Sequence, residues 1–142
     1  MIDVGAKPKT ERVAVASGFV SMNAAALKKI RSNSVEKGDV LAAARIAGIM
    51  AAKRTPDLIP LCHPIALSGV EVALALKKAG VEVRATVKTV DRTGVEMEAL
   101  AAVSAAALTV YDMLKSTDRA MVIGPVQLEL KSGGRSGRYE KK

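Results

Sequence analysis

Apolar and polar residues alternate with a period of two in four stretches of the chain. These stretches are residues 12–22, 70–76, 81–87 and 126–130. Such alternation places apolar side chains on one face and polar ones on the other, as in half-buried strands. Ala79-Gly80 joins the second and third stretches into a hairpin. In the first stretch the apolar parity changes between Val15 and Val20, which predicts a bulge at Ser17-Gly18.

Three helices are predicted between these strands. Asn23 is placed to cap a short helix over residues 24–30, and Asp39 to cap a second that ends near Lys53-Arg54. The third and longest helix runs from about Gly94 to Lys115. Residues 58–64 carry two prolines and are therefore an irregular crossing segment. The apolar side of the second helix is predicted to comprise Leu41, Ala44, Ile46, Ile49 and Met50.

The elements follow one another as strand, helices, strand, strand, helix, strand. This order is the split βαβ pattern, so we predict an α+β, ferredoxin-like fold with an antiparallel sheet and helices packed on one face. In the last strand Val126, Leu128 and Leu130 are expected to point inward and Lys131 outward. Residues 1–142 are expected to form a single domain, with an arm over residues 1–11 and a flexible Gly-rich tail over residues 132–142.

The long helix is apolar or small on every side from Ala99 to Tyr111. A helix that covers one face of a sheet normally presents a polar stripe to water, so we predict that another subunit covers this helix. The apolar run is shorter than the roughly 20 residues that span a bilayer. No membrane association is therefore expected.

Composition and charge narrow the function classes. The chain has 22 Lys and Arg against 14 Asp and Glu, a formal net charge of +8. A basic protein suggests nucleic acid, a membrane surface or a compact polyanion as its partner. With one Phe, two Tyr and no Trp, platforms that stack single-stranded bases are scarce. One Cys and one His make neither an internal disulfide nor a zinc site, which is typical of the cytoplasm.

Polar groups that suit acid–base chemistry lie beside apolar runs. His63 follows Cys62 in the proline-rich segment, Glu98 opens the long helix, and Asp112 and Lys115 stand near its end. Simpler interpretations exist. His63 would be a structural imidazole, Glu98 an acid favoured by the helix dipole in the first turn, and Asp112 with Lys115 a surface ion pair. Glu98 and Asp112 lie about 21 Å apart along a helix. A site that contains both is either long or completed by a neighbouring chain.

Seven segments closely resemble the MoaC family, the cyclic pyranopterin monophosphate synthases of molybdenum cofactor biosynthesis. They cover nearly the whole chain in order, so a chance match is excluded. The segments are Lys37-Gly38-Asp39-Val40-Leu41, Ala44-Arg45-Ile46-Ala47-Gly48-Ile49, Ala51-Ala52-Lys53-Arg54-Thr55, Leu58-Ile59-Pro60-Leu61-Cys62-His63-Pro64, Thr93-Gly94-Val95-Glu96-Met97-Glu98-Ala99-Leu100, Leu108-Thr109-Val110-Tyr111-Asp112-Met113-Leu114-Lys115 and Lys131-Ser132-Gly133-Gly134.

The resemblance implies a lyase. Its substrate would be (8S)-3′,8-cyclo-7,8-dihydroguanosine 5′-triphosphate, made from GTP by a radical S-adenosylmethionine enzyme. Its products would be cyclic pyranopterin monophosphate and pyrophosphate. The resemblance also implies a homohexamer, a trimer of dimers with sites between subunits. No cofactor or protein-bound metal is expected, and whether Mg²⁺ accompanies the triphosphate is left open.

The same resemblance assigns roles to ten residues. Asp112 matches the catalytic Asp and Lys115 its catalytic Lys partner. The substrate contacts match Leu61, Cys62, His63, Met97 and Glu98, and the basic residues of the pocket match Lys37, Lys53 and Lys131. The alternative is a non-catalytic basic domain that binds nucleic acid or senses nucleotides, a role that such folds also serve.

Overall fold

Alternating apolar and polar residues build a six-stranded antiparallel sheet on which the helices pack. A computed structural model describes all residues, 1–142. The strands are β1 Thr10–Ser21, β2 Gly69–Lys77, β3 Gly80–Asp91, β4 Val122–Ile123, β5 Gln127–Ser132 and β6 Tyr139–Glu140. Their order across the sheet is β2-β3-β1-β5-β6, and β4 pairs with β1.

Four helices complete the fold: α1 Ala24–Arg31, α2 Val40–Lys53, α3 Thr55–Leu58 and α4 Glu96–Leu114. The predicted α+β class is confirmed, because helices pack on the antiparallel sheet. The Asn23 side chain accepts a hydrogen bond from the Ala26 amide, and Asp39 accepts one from Ala42, so both predicted N-caps are present. The short elements α3, β4 and β6 were not predicted. Of these, β6 lies in the predicted tail.

One face of β1 meets the helices along the whole strand, and it is the face of Val20 rather than that of Val15. Ala14 and Ala16 are fully buried, and Gly18 continues the same face. The register between β1 and β3 runs through twelve residue pairs without a shift, so the predicted bulge at Ser17-Gly18 is wrong. Small residues are needed here because α4 lies close: a Cβ on Gly18 would stand 2.5 Å from Val103 Cγ1.

The irregularity lies instead between β1 and β5. Val15 is opposite Leu130 and Ala16 is opposite Leu128, so Glu129 is an extra residue in β5. Such a bulge reverses the faces of the residues that follow it. Leu130 therefore shares the outer face with Val15, and Lys131 turns to the helix side, the opposite of the predicted orientations.

The core-facing side of α2 consists of small residues. Val40, Ala44, Gly48 and Ala52 recur every four positions and are buried. A Cβ on Gly48 would lie 2.9 Å from a backbone oxygen of α4, so the two helices approach closely along this row. The predicted apolar side is wrong for two of its five residues, because Ile46 and Met50 lie outside the contact and are 57% and 49% exposed.

Helix α4 is the central helix of the core. Nine of its residues are buried, while Leu108 remains 61% exposed. By length and hydropathy α4 meets the criterion for a membrane span, but half of that window is buried inside the fold. A core helix of a water-soluble fold meets the same criterion, so α4 carries no argument for a membrane.

Candidate active site at the two ends of one helix

The two ends of α4 hold two separate groups of polar side chains. Glu98 lies in its first turn and Asp112 in its last. At 1.5 Å per residue, about 21 Å of helix separates them. The structure places them in different cavities of one chain.

The first cavity brings together five of the residues singled out in the sequence. It has a volume of about 280 Å³ and lies between the start of α4 and the irregular segment that follows α3. Prolines at both ends of that segment prevent a regular element and hold its side chains toward the helix. The five residues are Leu61, Cys62, His63, Met97 and Glu98.

Cys62 and Glu98 are in direct contact inside this cavity. The Cys62 thiol donates to Glu98 Oε1 at 3.5 Å. Burial, together with the Glu98 charge, raises the pKa of Cys62 to about 11. Burial also raises the pKa of Glu98 above the usual value for a glutamate. The thiol therefore stays protonated at neutral pH, which makes Cys62 a hydrogen-bond donor rather than a nucleophile.

The N-terminal arm reaches the same cavity. His63 Nε2 lies 2.8 Å from the backbone oxygen of Ile2. A carbonyl oxygen only accepts, so Nε2 carries the hydrogen and donates it. The arm is also held further along, where Arg92 Nε donates to the backbone oxygen of Lys7 at 3.1 Å.

A second, strongly basic cavity of about 480 Å³ adjoins the first. The two share Thr93, Gly94 and Glu96, the residues that lead into α4. A helix N-terminus and several cations together favour a bound anion. The cations that line this cavity are Lys7, Arg12, Arg92, Lys131 and Arg135.

Four of these five cations were missed in the sequence because they come from distant segments. The position of Arg12 could have been found from the sequence, because Arg12 lies two residues before Ala14 and therefore on the same face of β1 as Ala14 and Ala16. The larger apolar residue Val15, which lies on the opposite face, hides this pattern in the sequence. Gly134, at a φ of +75°, lies directly against the Arg12 guanidinium, where a Cβ would clash with it.

Lys131 reaches the basic cavity because of the bulge in β5. Its ammonium lies 3.5 Å from Glu96 Oε1 and donates to Ser136 Oγ. Without the extra residue Glu129, the side chain would lie on the outer face of the sheet. The bulge thus supplies a cation at the junction of the two cavities.

The group at the other end of α4 is a carboxylate held between two lysines. Asp112 Oδ1 lies 2.7 Å from Lys115 Nζ, and Oδ2 lies 2.6 Å from Lys37 Nζ. The hydrogen bonds from Lys115 and Lys37 lower the pKa of Asp112 to about 2. Lys37 precedes Gly38, whose φ of +96° allows the turn into α2. Lys37, Asp112 and Lys115 border a cavity of about 180 Å³.

Lys53 lies in neither group. It borders a fourth cavity, of about 390 Å³, between α2 and the start of β2. That cavity touches the first one only through Ile65. No group of three or more His, Cys, Asp or Glu side chains in the chain is arranged to hold a metal ion.

Comparisons with known proteins point to one family. The model of the MoaC family matches residues 1–134. A protein of Streptomyces griseus is 60% identical over 141 residues, which cover 99% of this chain and 80% of the relative. A protein of Parvibaculum lavamentivorans is 58% identical, with 100% of this chain and 90% of the relative covered. A Roseiflexus protein is 58% identical, with 98% and 89% covered. Each relative bears the name cyclic pyranopterin monophosphate synthase.

Proposed function

The chain belongs to the MoaC family, and on that premise we propose how its two polar groups carry out the reaction after which its relatives are named. The chain is a lyase of molybdenum cofactor biosynthesis and acts on a small molecule derived from GTP. The reaction converts (8S)-3′,8-cyclo-7,8-dihydroguanosine 5′-triphosphate into cyclic pyranopterin monophosphate and pyrophosphate. The alternative role as a nucleic-acid-binding domain is not favoured.

The junction of the two cavities at the start of α4 is the observation that supports this assignment of the site. One cavity is lined by five cations, and the other by a thiol, an imidazole and a buried carboxyl. A nucleoside triphosphate needs both environments: charge for its phosphates and donors and acceptors for its ring. We place the triphosphate among Arg12, Arg92 and Lys131, and the guanine-derived ring beside His63 and Glu98.

A neighbouring copy of the chain supplies the other polar group. About 21 Å along α4 separates Asp112 from Glu98, too far for both to act on one bond of a small substrate. The exposed Ile46, Met50 and Leu108 give the helices an apolar surface for a second subunit. A two-fold interface would bring the end of one α4 near the start of the other. We infer a homohexamer built as a trimer of such dimers.

The group around Asp112 carries the proton transfers. Asp112 is ionised at neutral pH, the form that accepts a proton, and the two lysines that lower its pKa make it a weak base for as long as both hold it. Lys115 and Lys37 are suited to donate one, and their charge favours the carboxylate between them. Lys131 neutralises charge that develops on the phosphates as pyrophosphate leaves. Lys53, from its separate cavity, contributes positive charge at the edge of the site.

The identity of the substrate indicates which enzyme supplies it and which ion accompanies it. The substrate is supplied by a radical S-adenosylmethionine enzyme that cyclises GTP, which places this lyase directly after it in the cytoplasm. Any Mg²⁺ that accompanies the substrate would be carried by the triphosphate, whose oxygens are the ligands that this ion prefers.

Turnover of the cyclised triphosphate tests the proposal. Wild-type protein should release pyrophosphate and form an oxidisable pterin. Asp112→Asn and Lys115→Ala should each lower kcat by about 10²-fold or more, the usual contribution of a general acid or base. Lys78→Ala, in the exposed β2–β3 turn, is a control that should retain the wild-type rate. Near-native kcat in either site variant would contradict the assigned roles.

A further inference from the structure

The two oxygens of the Glu98 carboxyl are in different environments. Oε1 accepts the Cys62 thiol hydrogen at 3.5 Å. Oε2 is buried and has no hydrogen-bond partner. The residue as a whole is only 2% exposed, yet its side chain lines the first cavity. Because buried polar atoms are nearly always paired, the free oxygen indicates a partner that arrives with the substrate.

The Cys62 thiol acts as a constant donor to this carboxyl. Burial alone already raises the pKa of the Cys62 thiol above its usual range, so the S–H bond is intact throughout the neutral range whether Glu98 is neutral or ionised. Because Oε1 accepts the thiol hydrogen, Oε1 does not itself carry the proton of a neutral carboxyl. A proton bound to Glu98 is therefore placed on Oε2, the oxygen without a partner.

The other titratable groups near Glu98 come from three elements. Glu96 lies on the same helix, and its charge raises the pKa of Glu98 further. His63 lines the cavity from the loop and is hydrogen-bonded to the arm. Lys131, from β5, lies against Glu96. Burial dominates over the thiol and backbone hydrogen bonds that favour the ionised form, and so the pKa of Glu98 is raised.

We propose that Glu98 donates a proton from Oε2 to a nitrogen of the substrate's guanine-derived ring, and that Cys62 is a positioning residue whose thiol occupies Oε1 and so directs that proton to Oε2. In that transfer the O–H bond of Oε2 breaks and an N–H bond forms at the ring. The electron pair remains on the carboxylate, whose Oε1 still accepts the thiol hydrogen. This inference rests on the proposed function, because it names an atom for one proton of that reaction.

The pH dependence of kcat/KM shows whether the neutral or the ionised form of Glu98 is active. If the neutral acid is the active form, the rate falls as pH rises through the pKa of Glu98. The thiol hydrogen bond lowers that pKa, so Cys62→Ala should move the alkaline limb to higher pH. Cys62→Ser retains a donor and should keep the limb close to the wild-type position. A limb on the acid side that moves to higher pH in Cys62→Ala would mean that the ionised form is active, which overturns the proposal.

Glu98→Gln tests the transferable proton. The amide has the size of the acid and a donor of its own, but no proton to give up. We expect kcat to fall by about 10²-fold or more while KM changes little. Thermal unfolding close to that of the wild type establishes that the variant is folded. A folded Glu98→Gln enzyme with wild-type kcat would contradict the role of Glu98.

Infrared spectroscopy of the free protein examines the proton without any substrate. A protonated, buried carboxyl gives a C=O stretch. The part of this band that comes from Glu98 should be absent from Glu98→Gln and should persist in the wild type to higher pH than the band of an ordinary glutamate, because burial raises the pKa of Glu98. The proton on Glu98 is refuted if the wild type shows no such band. It is also refuted if Glu98→Gln keeps the whole band. If the wild type fails to turn over, the proposed function fails. If it turns over but the alkaline limb stays in place in Cys62→Ala, only this inference fails.

Discussion

Two inactive variants should restore activity to each other if every site takes residues from two chains. Glu98→Gln removes the proton donor at the start of α4, and Asp112→Asn removes the carboxylate at its end. The two residues lie about 21 Å apart on one helix and in separate cavities. In a two-fold dimer, one site takes Glu98 from one chain and Asp112 from the other. A mixed dimer therefore contains one intact site and one doubly altered site.

The expected recovery follows from this pairing. Each variant alone should retain about 1% of wild-type kcat or less, as for loss of a general acid or base. Random exchange of equal amounts makes about half of the dimers mixed, and half of their sites are intact, so about one quarter of wild-type activity should return. The gain over either variant is then about 25-fold or more.

Co-expression of the two variants with different affinity tags yields the mixed assembly for a pyrophosphate-release assay. Purification over both tags removes the few hexamers that contain a single variant, and it leaves the expected fraction of intact sites close to one quarter. Co-expression of wild type with the Glu98→Gln/Asp112→Asn double variant is the matched control and should also retain about one intact site in four. Background activity in the doubly tagged Glu98→Gln and Asp112→Asn assembly would refute a site shared between chains.

Three further predictions concern single residues. Lys131→Met should raise KM about tenfold, as for loss of a charged hydrogen bond, and should weaken competitive inhibition by inorganic triphosphate in steady-state kinetics. Lys115→Ala should raise the pKa of Asp112 from about 2 toward its ordinary value of 3.8, which a carbon NMR titration measures. In the wild type the two ion pairs of Asp112 stabilise the fold at any pH above the ordinary aspartate pKa of 3.8. This stabilisation is lost as the pH falls toward 2. Gly48→Ala places a Cβ 2.9 Å from the α4 backbone and should cost about 1–3 kcal/mol of stability in thermal unfolding. Gly69→Ala meets nothing within 4 Å and should change stability by less than about 0.5 kcal/mol.

Features that depend on neighbouring residues were predictable from the sequence. The caps at Asn23 and Asp39 each need one side chain and an amide three residues away. The β2–β3 hairpin follows from two alternating stretches and a tight turn. The bounds of α4 differ from the predicted ones by two residues or fewer. Local chemistry determines these elements, so the structure agrees with the prediction.

Features that depend on close packing were not predictable. Large apolar residues were assigned to the core, yet β1 meets α4 through Ala14, Ala16 and Gly18. The same error placed Ile46 and Met50 inside. When two elements approach closely, small side chains fill the contact and large ones lie outside it. Hydrophobicity alone does not distinguish these two cases.

The site was partly predictable for a similar reason. His63 and Glu98 were singled out by their chemistry, and the resemblance to the family added their neighbours. The basic cavity combines the arm, β1, the β3–α4 connection and the tail, and only the folded chain brings these together. Lys131 belongs to it through a bulge that the alternation in β5 does not reveal.

The most direct test of the account is the conversion of the cyclised triphosphate by purified wild-type protein. We predict one pyrophosphate released for each pterin formed, with both products lost together in Asp112→Asn. The stoichiometry follows from a single triphosphate bound across the two joined cavities at the start of α4. Folded protein that forms neither product, or pyrophosphate without a pterin, would contradict the account.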